Sequence, residues 1–323
     1  MKIFVAGAAG AVGSALIPVL VQRGHQVIGS GRSSKSFAAI GAVGAEPVPM
    51  DGLDASSVLE AVRAAQPDVI VHQMTRLSGV KNLRHFDEAF AETNRLRTEG
   101  TAHLIAAARA VGTPRLVVQS YTGWPNAPEG AALKTEDDPL DPAPPHSMRE
   151  SLDAIRELER MVVAASDLQG IVLRYGSFYG PRTPISPGGE IVTLVAQRRL
   201  PIVGSGEGVW SFVHMEDVAL ATALAAEGAP SGIYNIVDDE PAPTSVWLPE
   251  LARILGAPPP RHVPEWIARL VVGEALVHMM TRIKGSSNAK AKRVLGWQPR
   301  YPTWREGFRH ELAARRTLEA RTS

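Results

Sequence analysis

The sequence predicts an α/β fold, a Rossmann-type doubly wound parallel sheet with a smaller, mixed C-terminal substrate region. Two observations carry this prediction. Short runs rich in β-branched residues alternate with segments of helical spacing, and a glycine-rich loop follows the first run directly. The runs are Ile3 to Gly7, Gln26 to Gly29, Asp68 to His72, Arg115 to Gln119 and Gly170 to Arg174. Continuous apolar runs of this length suit strands covered on both faces. Between them, residues 11–23, 55–65, 83–111 and 148–165 place apolar side chains at helical intervals. Such alternation builds βαβ units. The punctuation agrees, with Gly24 behind the first helix, Asp54 able to cap the second, and Gly112 and Pro114 stopping the third.

From Gly180 onward the alternation breaks down and proline and glycine become denser. The expected division is a dinucleotide-binding domain over 1–175, with 209–237 returning to it. A substrate-binding region over 176–208 and 238–316 follows, and 317–323 form a tail. Ligands of such sheets bind beyond the carboxyl ends of the strands, so the second region belongs over that edge.

Composition excludes several functions. The 323 residues carry 34 Lys and Arg against 33 Asp and Glu, a net charge of +1 with no basic block, which argues against nucleic acid and anionic membranes as partners. With no cysteine there is no disulfide, thiolate metal site or cysteine nucleophile, and a cytoplasmic location is the simplest reading. The apolar stretch Trp266 to Met280 is interrupted by Arg269, Glu274 and His278 well short of the roughly 20 residues a membrane span needs. It reads as an amphipathic helix. Its Met279 and Met280, with Val271, Val272, Leu276 and Val277, suit core or pocket wall, and as pocket wall they imply a substrate with an apolar part. The histidines show no H-x-x-x-H spacing, so no metal is expected. No G-x-S-x-G turn supports a hydrolase.

The loop after the first run reads GAAGAVG. Gly7 allows a tight turn, Gly10 lets a diphosphate approach backbone N–H groups at a helix start, and Gly13 lets helix and strand pack closely. Ala9, Ala11 and Val12 belong to the same cradle. After the second strand the chain reads GSGRSSKS, with no carboxylate for the ribose hydroxyls. Arg32, beside Ser33, Ser34 and Lys35, suits a 2′-phosphate and favours NADP over NAD, unless it is a solvated loop residue. Asp51, Gly52 and Leu53 follow the third strand. Asp51 either accepts from an adenine amino group or serves the turn.

Several further segments together resemble the extended short-chain dehydrogenase/reductase superfamily, the NAD-dependent epimerase/dehydratase group. They are VHQMT (Val71 to Thr75), TNRLRTEGTAHLIAAA with Asn94, LRYGSFYGP (Leu173 to Pro181), FVHMEDVA (Phe212 to Ala219), GIYNIVDDE (Gly232 to Glu240) and AKRVLGWQPRYP. The resemblance implies an enzyme that passes a hydride between a nicotinamide and a carbonyl or carbinol carbon. It implies that His72, Gln73 and Met74 line the cofactor. Gln119, Ser120 and Tyr121 then lie below the nicotinamide, and Tyr175, Gly176, Ser177 and Phe178 pass its amide. It makes His214 and Asp217 a structural pair, and it implies a homodimer through residues 83–111 and 148–165.

One departure limits this. The family's chemistry uses a tyrosine four residues ahead of a lysine, the lysine lowering the phenol's pKa for proton exchange. Matching Glu159 to the family's glutamate puts the tyrosine position on Ser151 and the lysine position on Ile155, and residues 149–160 hold neither residue type. Either another hydroxyl donates the proton, or the domain binds NADP without turnover as a sensor or scaffold. Tyr121 is the first candidate donor, unless it is simply packed at a strand end, and Ser120, Ser151 and His146 follow. The retained second region favours an enzyme. The loop from Gly123 to Pro145 is expected over the cleft, its Glu136, Asp137 and Asp138 forming a solvated face.

Overall fold

The protein is described by a computed structural model over residues 1–77 and 83–312, so the expected tail at 317–323 and the end of the region reaching 316 lie outside the described residues. Seven strands form the main sheet: β1 (Lys2–Ala6), β2 (Gln26–Gly31), β3 (Glu46–Pro49), β4 (Val69–His72), β5 (Arg115–Tyr121), β6 (Gln169–Tyr175) and β7 (Gly232–Ile236). Their order is β7-β6-β5-β4-β1-β2-β3, and every neighbouring pair is parallel. The chain reverses direction across the sheet between β1 and β4, which opens a crevice at their carboxyl ends.

Strand periodicity distributes the core. Ile3 and Val5 of β1 face one side with Leu16, Ile17 and Leu20 of α1 (Ala11–Gln22) and the alanine-rich helix Met215–Gly228. Phe4 and Ala6 face the other, against α3 (Ala55–Ala65), α5 (Thr101–Val111) and α6 (Arg149–Ala164). Both faces being covered explains why the strands read as unbroken apolar runs. Asp54 caps α3 through the N–H groups of Ser56 and Ser57, and Gly112 ends α5 with φ +74°. A second core over the C-terminal edge gathers Tyr179, Phe212, Trp247, Trp304 and Phe308.

Four sequence expectations change. A helix absent from the sequence reading, α2 (Ser34–Ala42), starts at Arg32's loop, where Ser33 and Ser36 form a reciprocal capping box. The long helix expected over 83–111 follows a 3-10 turn and runs on from α4 (Phe86–Arg95) through a π-helical turn at Leu96–Gly100 into α5, with helical dihedrals at both junctions. At that turn Gly100 approaches the carbonyl of Gly52 and the side chain of Met74, so the backbone bends around the loops that follow β3 and β4. The apolar helix at 266–280 is two helices, Glu265–Val272 and Glu274–Thr281, because Gly273 takes φ +86° against Arg84. In the loop over 123–145, Glu136 is not part of a solvated face: its carboxylate accepts the Asn235 N–H at 2.7 Å.

Leu152, Ile155, Leu158 and Val162 of α6 point into the core, whereas Val163 is exposed. Outer positions of the helix pair with one another, Arg156 with Asp153 at 2.8 Å and Arg160 with Glu157 at 2.6 Å, as Arg95 does with Glu99 beside α4. Among the described residues no helix is long and apolar enough to cross a membrane.

Candidate functional site

At the crevice a cleft of about 380 Å³ is bounded by Gly7, Ala9 and Gly10, by Arg32, Ser33 and Ser36, by Asp51 and Gly52, and by Gln73 to Arg76 with Leu96. Gly7 has φ +89°, and a Cβ there would lie 2.6 Å from the carbonyl of Gln73. A Cβ on Gly13 would lie 2.5 Å from the carbonyl of Ala8. Gly10 stands at the start of α1, where no side chain caps the helix. The first turn thus presents N–H groups and a partial positive charge to the cleft with nothing of the protein's own in the way, a cradle that fits a diphosphate. The Gly7 N–H is held by Ser30 Oγ at 3.2 Å, and Arg182, from beyond the sixth strand, donates to the Ala9 carbonyl at 3.1 Å. Neither residue was selected from sequence.

At one end of the cleft Arg32 Nη1 lies 3.3 Å from Glu92 Oε1, and Arg76 Nε lies 3.9 Å from the same carboxylate. Arg76 is a second cation there that sequence reading missed, its backbone N–H fixed on Thr93 Oγ1 at 2.9 Å. A basic residue four positions after His72 was the available signal. The Asp51 carboxylate accepts the Leu53 N–H at 3.0 Å and so serves its own turn at the cleft wall.

The side chains of His72 and Tyr175, expected along the cofactor, are buried and not among those that bound the cleft. The His72 ring is buried, its Nδ1 accepting the Met74 N–H at 3.1 Å, which leaves Nε2 to donate to the Leu96 carbonyl at 3.2 Å. Burial pulls this imidazole down to about 4, so it is neutral at neutral pH. Tyr175 is also buried, its hydroxyl bonded to Gln73 Nε2 at 3.0 Å and to Thr222 Oγ1 at 2.8 Å. Gln73 Oε1 is left without a partner where Gln73 borders the cleft. Gly176 packs against the Ser211 carbonyl, and Ser177 and Phe178 are half-buried, as is Gln119 at the end of β5. His214 caps the helix Met215–Gly228, and Asp217 accepts the N–H groups of Arg300 and Tyr301, structural tasks in both cases.

Two hydroxyls selected as proton donors are committed elsewhere. Ser120 is buried and donates to Glu159 of α6 at 2.7 Å, which is also held by Arg174 at 2.6 and 2.8 Å. Ser151 is fully buried, donates to Asp87 at 2.6 Å and accepts from Asn94 at 3.0 Å. Asp87 also accepts the N–H groups of Glu150 and Ser151, so it caps α6 from α4. Ile155 lies one turn further on, in an apolar cluster with Phe86, Trp124, Met148 and Met279. Of the three hydroxyls only that of Tyr121 belongs to a side chain in contact with solvent, and it lies 2.9 Å from Ser177 Oγ, while His146 is exposed in the 3-10 turn His146–Met148 ahead of α6. Burial pushes the Tyr121 phenol up, the opposite of what a neighbouring lysine would do.

The chain is similar to known proteins in sequence and in fold. Residues 3–237 fit the model of the NAD dependent epimerase/dehydratase family. The chain is 44% identical over 312 residues, 96% of its length and 100% of the relative's, to a 3-diazoavenalumate denitrifying reductase from a Streptomyces species. It is 30% identical to a 2-alkyl-3-oxoalkanoate reductase of Stenotrophomonas maltophilia, over 80% of this chain and 77% of that one. Among solved structures, the Thermus thermophilus UDP-glucose 4-epimerase in complex with NAD superposes with a TM-score of 0.73 at 25% identity, covering 97% of this chain and 98% of that one. The chain therefore belongs to the NAD dependent epimerase/dehydratase family and is an NAD(P)-dependent oxidoreductase or epimerase-like enzyme.

Proposed function

We propose that this enzyme is an NADPH-preferring reductase that replaces a diazo group by hydrogen on an apolar, carboxylate-bearing substrate. The observation that carries the reading is the commitment of Ser151 to Asp87 and Asn94 beside the apolar Ile155, in a chain whose dinucleotide cradle is complete. These two positions are read as those of the family's tyrosine and lysine. The name of the relative at 44% identity supports the same chemistry.

The bound reduced nicotinamide supplies one hydride. On a diazonium carbon the new C–H bond takes the hydride's electron pair, the C–N bond breaks, and its pair leaves with dinitrogen. The substrate is reduced by two electrons and the dinucleotide is oxidised by two. No alkoxide develops, so no phenol and lysine need exchange a proton with a carbinol oxygen. The protein's tasks are to hold the dinucleotide, orient the substrate and exclude water.

The preference for NADPH rests on Arg32 and Arg76, with a 2′-phosphate taking the seat that Glu92 occupies between them. A homodimer through residues 83–111 and 148–165 would draw on the exposed Val163 of α6 and on its outer ion-paired positions, since Leu152, Ile155, Leu158 and Val162 are spent on the core.

The test is turnover of a carboxylated 2-diazophenol with NADPH deuterated at the transferable position. The expected result is dinitrogen released in step with NADPH oxidation and deuterium on the ring carbon that carried nitrogen. A ketone reduced faster than any diazo compound would overturn the reading. Arg32→Ala should weaken NADPH binding about tenfold and leave NADH binding unchanged, as expected for one charge-assisted bond. Unchanged NADPH binding removes the phosphate assignment.

A further inference from the structure

Beside the dinucleotide cleft lies a chain of aromatic rings that ends on a cation. Tyr121, at the carboxyl end of β5, has its ring centroid 6.4 Å from that of Trp124. Trp124 meets Phe86 edge-on at 5.3 Å, and Phe86 stacks on Phe90 at 4.2 Å and 11°. The Arg97 guanidinium lies 6.0 Å from the Phe90 ring centroid. Phe86 and Trp124 are buried, whereas Tyr121, Phe90 and Arg97 keep contact with solvent, so the row is open to solvent at Tyr121 and again at Phe90 and Arg97. Leu96, the residue before Arg97, borders the dinucleotide cleft.

Arg97 is unusual among this chain's arginines. It is half-buried, and desolvation pulls its guanidinium down to about 10. Its one side-chain hydrogen bond among the described residues goes to a neutral acceptor, Asn94 Oδ1, at 3.1 Å. It takes part in none of the ion pairs among the described residues, while arginines as exposed as Arg95, Arg160 and Arg253 each hold a carboxylate. A half-buried cation without a counter-ion costs free energy that an anion arriving from solution would offset, and a carboxylate matches the guanidinium fork with two parallel bonds.

We propose that Arg97 receives the carboxylate of an aromatic acid whose ring lies against Phe90 and Tyr121, where the row is open. Arg97 then fixes which end of the substrate faces away from the nicotinamide. It is a specificity-determining residue that touches substrate, and it carries the positive charge that Ile155 does not. The inference deepens the reductase reading by naming the substrate class, and it rests on that reading only for where the ring's reacting carbon points.

Binding separates the two. Isothermal titration of the NADP-loaded protein compares p-coumarate with p-coumaryl alcohol, which differ in the carboxylate alone at the relevant end. The wild type should bind the acid about tenfold more tightly, the scale of a charge-assisted pair. Arg97→Met should erase the difference and Arg97→Lys should keep part of it. NADPH affinity and the melting temperature report whether each variant is folded. If Arg97→Met does not fold, the wild-type pair and Arg97→Lys decide the matter. Equal binding of acid and alcohol, binding of neither, or a preference that survives in Arg97→Met overturns the proposal. A carboxylate preference without diazo turnover would keep Arg97's role and remove the reductase reading, and diazo turnover without the preference would do the reverse.

Discussion

The two ends of the cleft are built on different principles. At the glycine loop the protein offers backbone N–H groups, and the sequence contributes by leaving side chains out: Cβ atoms on Gly7 and Gly13 would strike Gln73 and Ala8. Beyond Gln73 the work is done by side chains, and most of their polar groups are already bonded to one another: Ser120 to Glu159, Ser151 to Asp87, Tyr175 to Gln73. A backbone cradle tolerates little change, because any added atom fills it. A side-chain network can be rewritten residue by residue while the sheet beneath it stands. That difference explains how a chain can keep the family's dinucleotide loop and fold while the positions read as its proton-exchanging pair hold serine and isoleucine.

The sharpest way to break the contrast is at Gly13. Gly13→Ala places a methyl 2.5 Å from the Ala8 carbonyl, where the three nearest atoms are all Ala8 backbone and none is the end of a flexible side chain. The expected loss is about 3 kcal/mol of stability, the upper range for overpacking. Thermal melting measures it, and titration with NADPH should show binding lost or weakened at a temperature where the variant is still folded. An alanine tolerated at full stability would mean that the close approach of helix and strand is not what the cradle depends on.

His72 stands at the border between the two ends and gives the next largest effect. Its imidazole titrates near 4 in the folded protein against 6.5 for the ordinary group. Between those values the unfolded chain binds more protons than the folded one, so stability falls as pH drops through that window, by at most about 1.4 kcal/mol per pH unit. In His72→Gln this contribution disappears. Chemical denaturation at successive pH values should therefore show the wild type's margin over the variant shrinking from pH 6.5 towards 4. A margin constant with pH would show that the ring is not held neutral by burial, and the loop bearing Met74 would need another anchor.

Much of the sheet was legible because its signals are local. Apolar runs marked the strands, and Asp54, Gly24 and Gly112 punctuated the helices as read. What failed depended on contacts between distant segments. The break at Gly273 answers to Arg84, and the π-helical turn at Leu96–Gly100 answers to Gly52 and Met74, neither of which periodicity can see. Helix α2 is short and begins in a serine-rich loop, so its capping box was hidden among turn-forming residues. The same holds in the site. Glycine spacing located the cradle, but the sequence lists hydroxyls without their partners. Ser120 meets Glu159 from 39 positions away and Ser151 meets Asp87 from 64, and those bonds take both out of the list of free proton donors.

The smallest effect tests the far end most directly. In Ser151→Ala the Asp87 carboxylate keeps the N–H groups of Glu150 and Ser151 but loses a hydroxyl donor, and Asn94 loses an acceptor. The cost should be about 2 kcal/mol of stability, within the range for hydrogen bonds to a charged group. Turnover should change by no more than about threefold, whereas removal of a group that exchanges a proton in the transition state costs roughly a hundredfold to ten-thousandfold. Measuring kcat and melting temperature on the same preparation separates the outcomes. A large fall in kcat with stability intact would return Ser151 to the chemistry and show that its bond to Asp87 is a proton path instead of a cap.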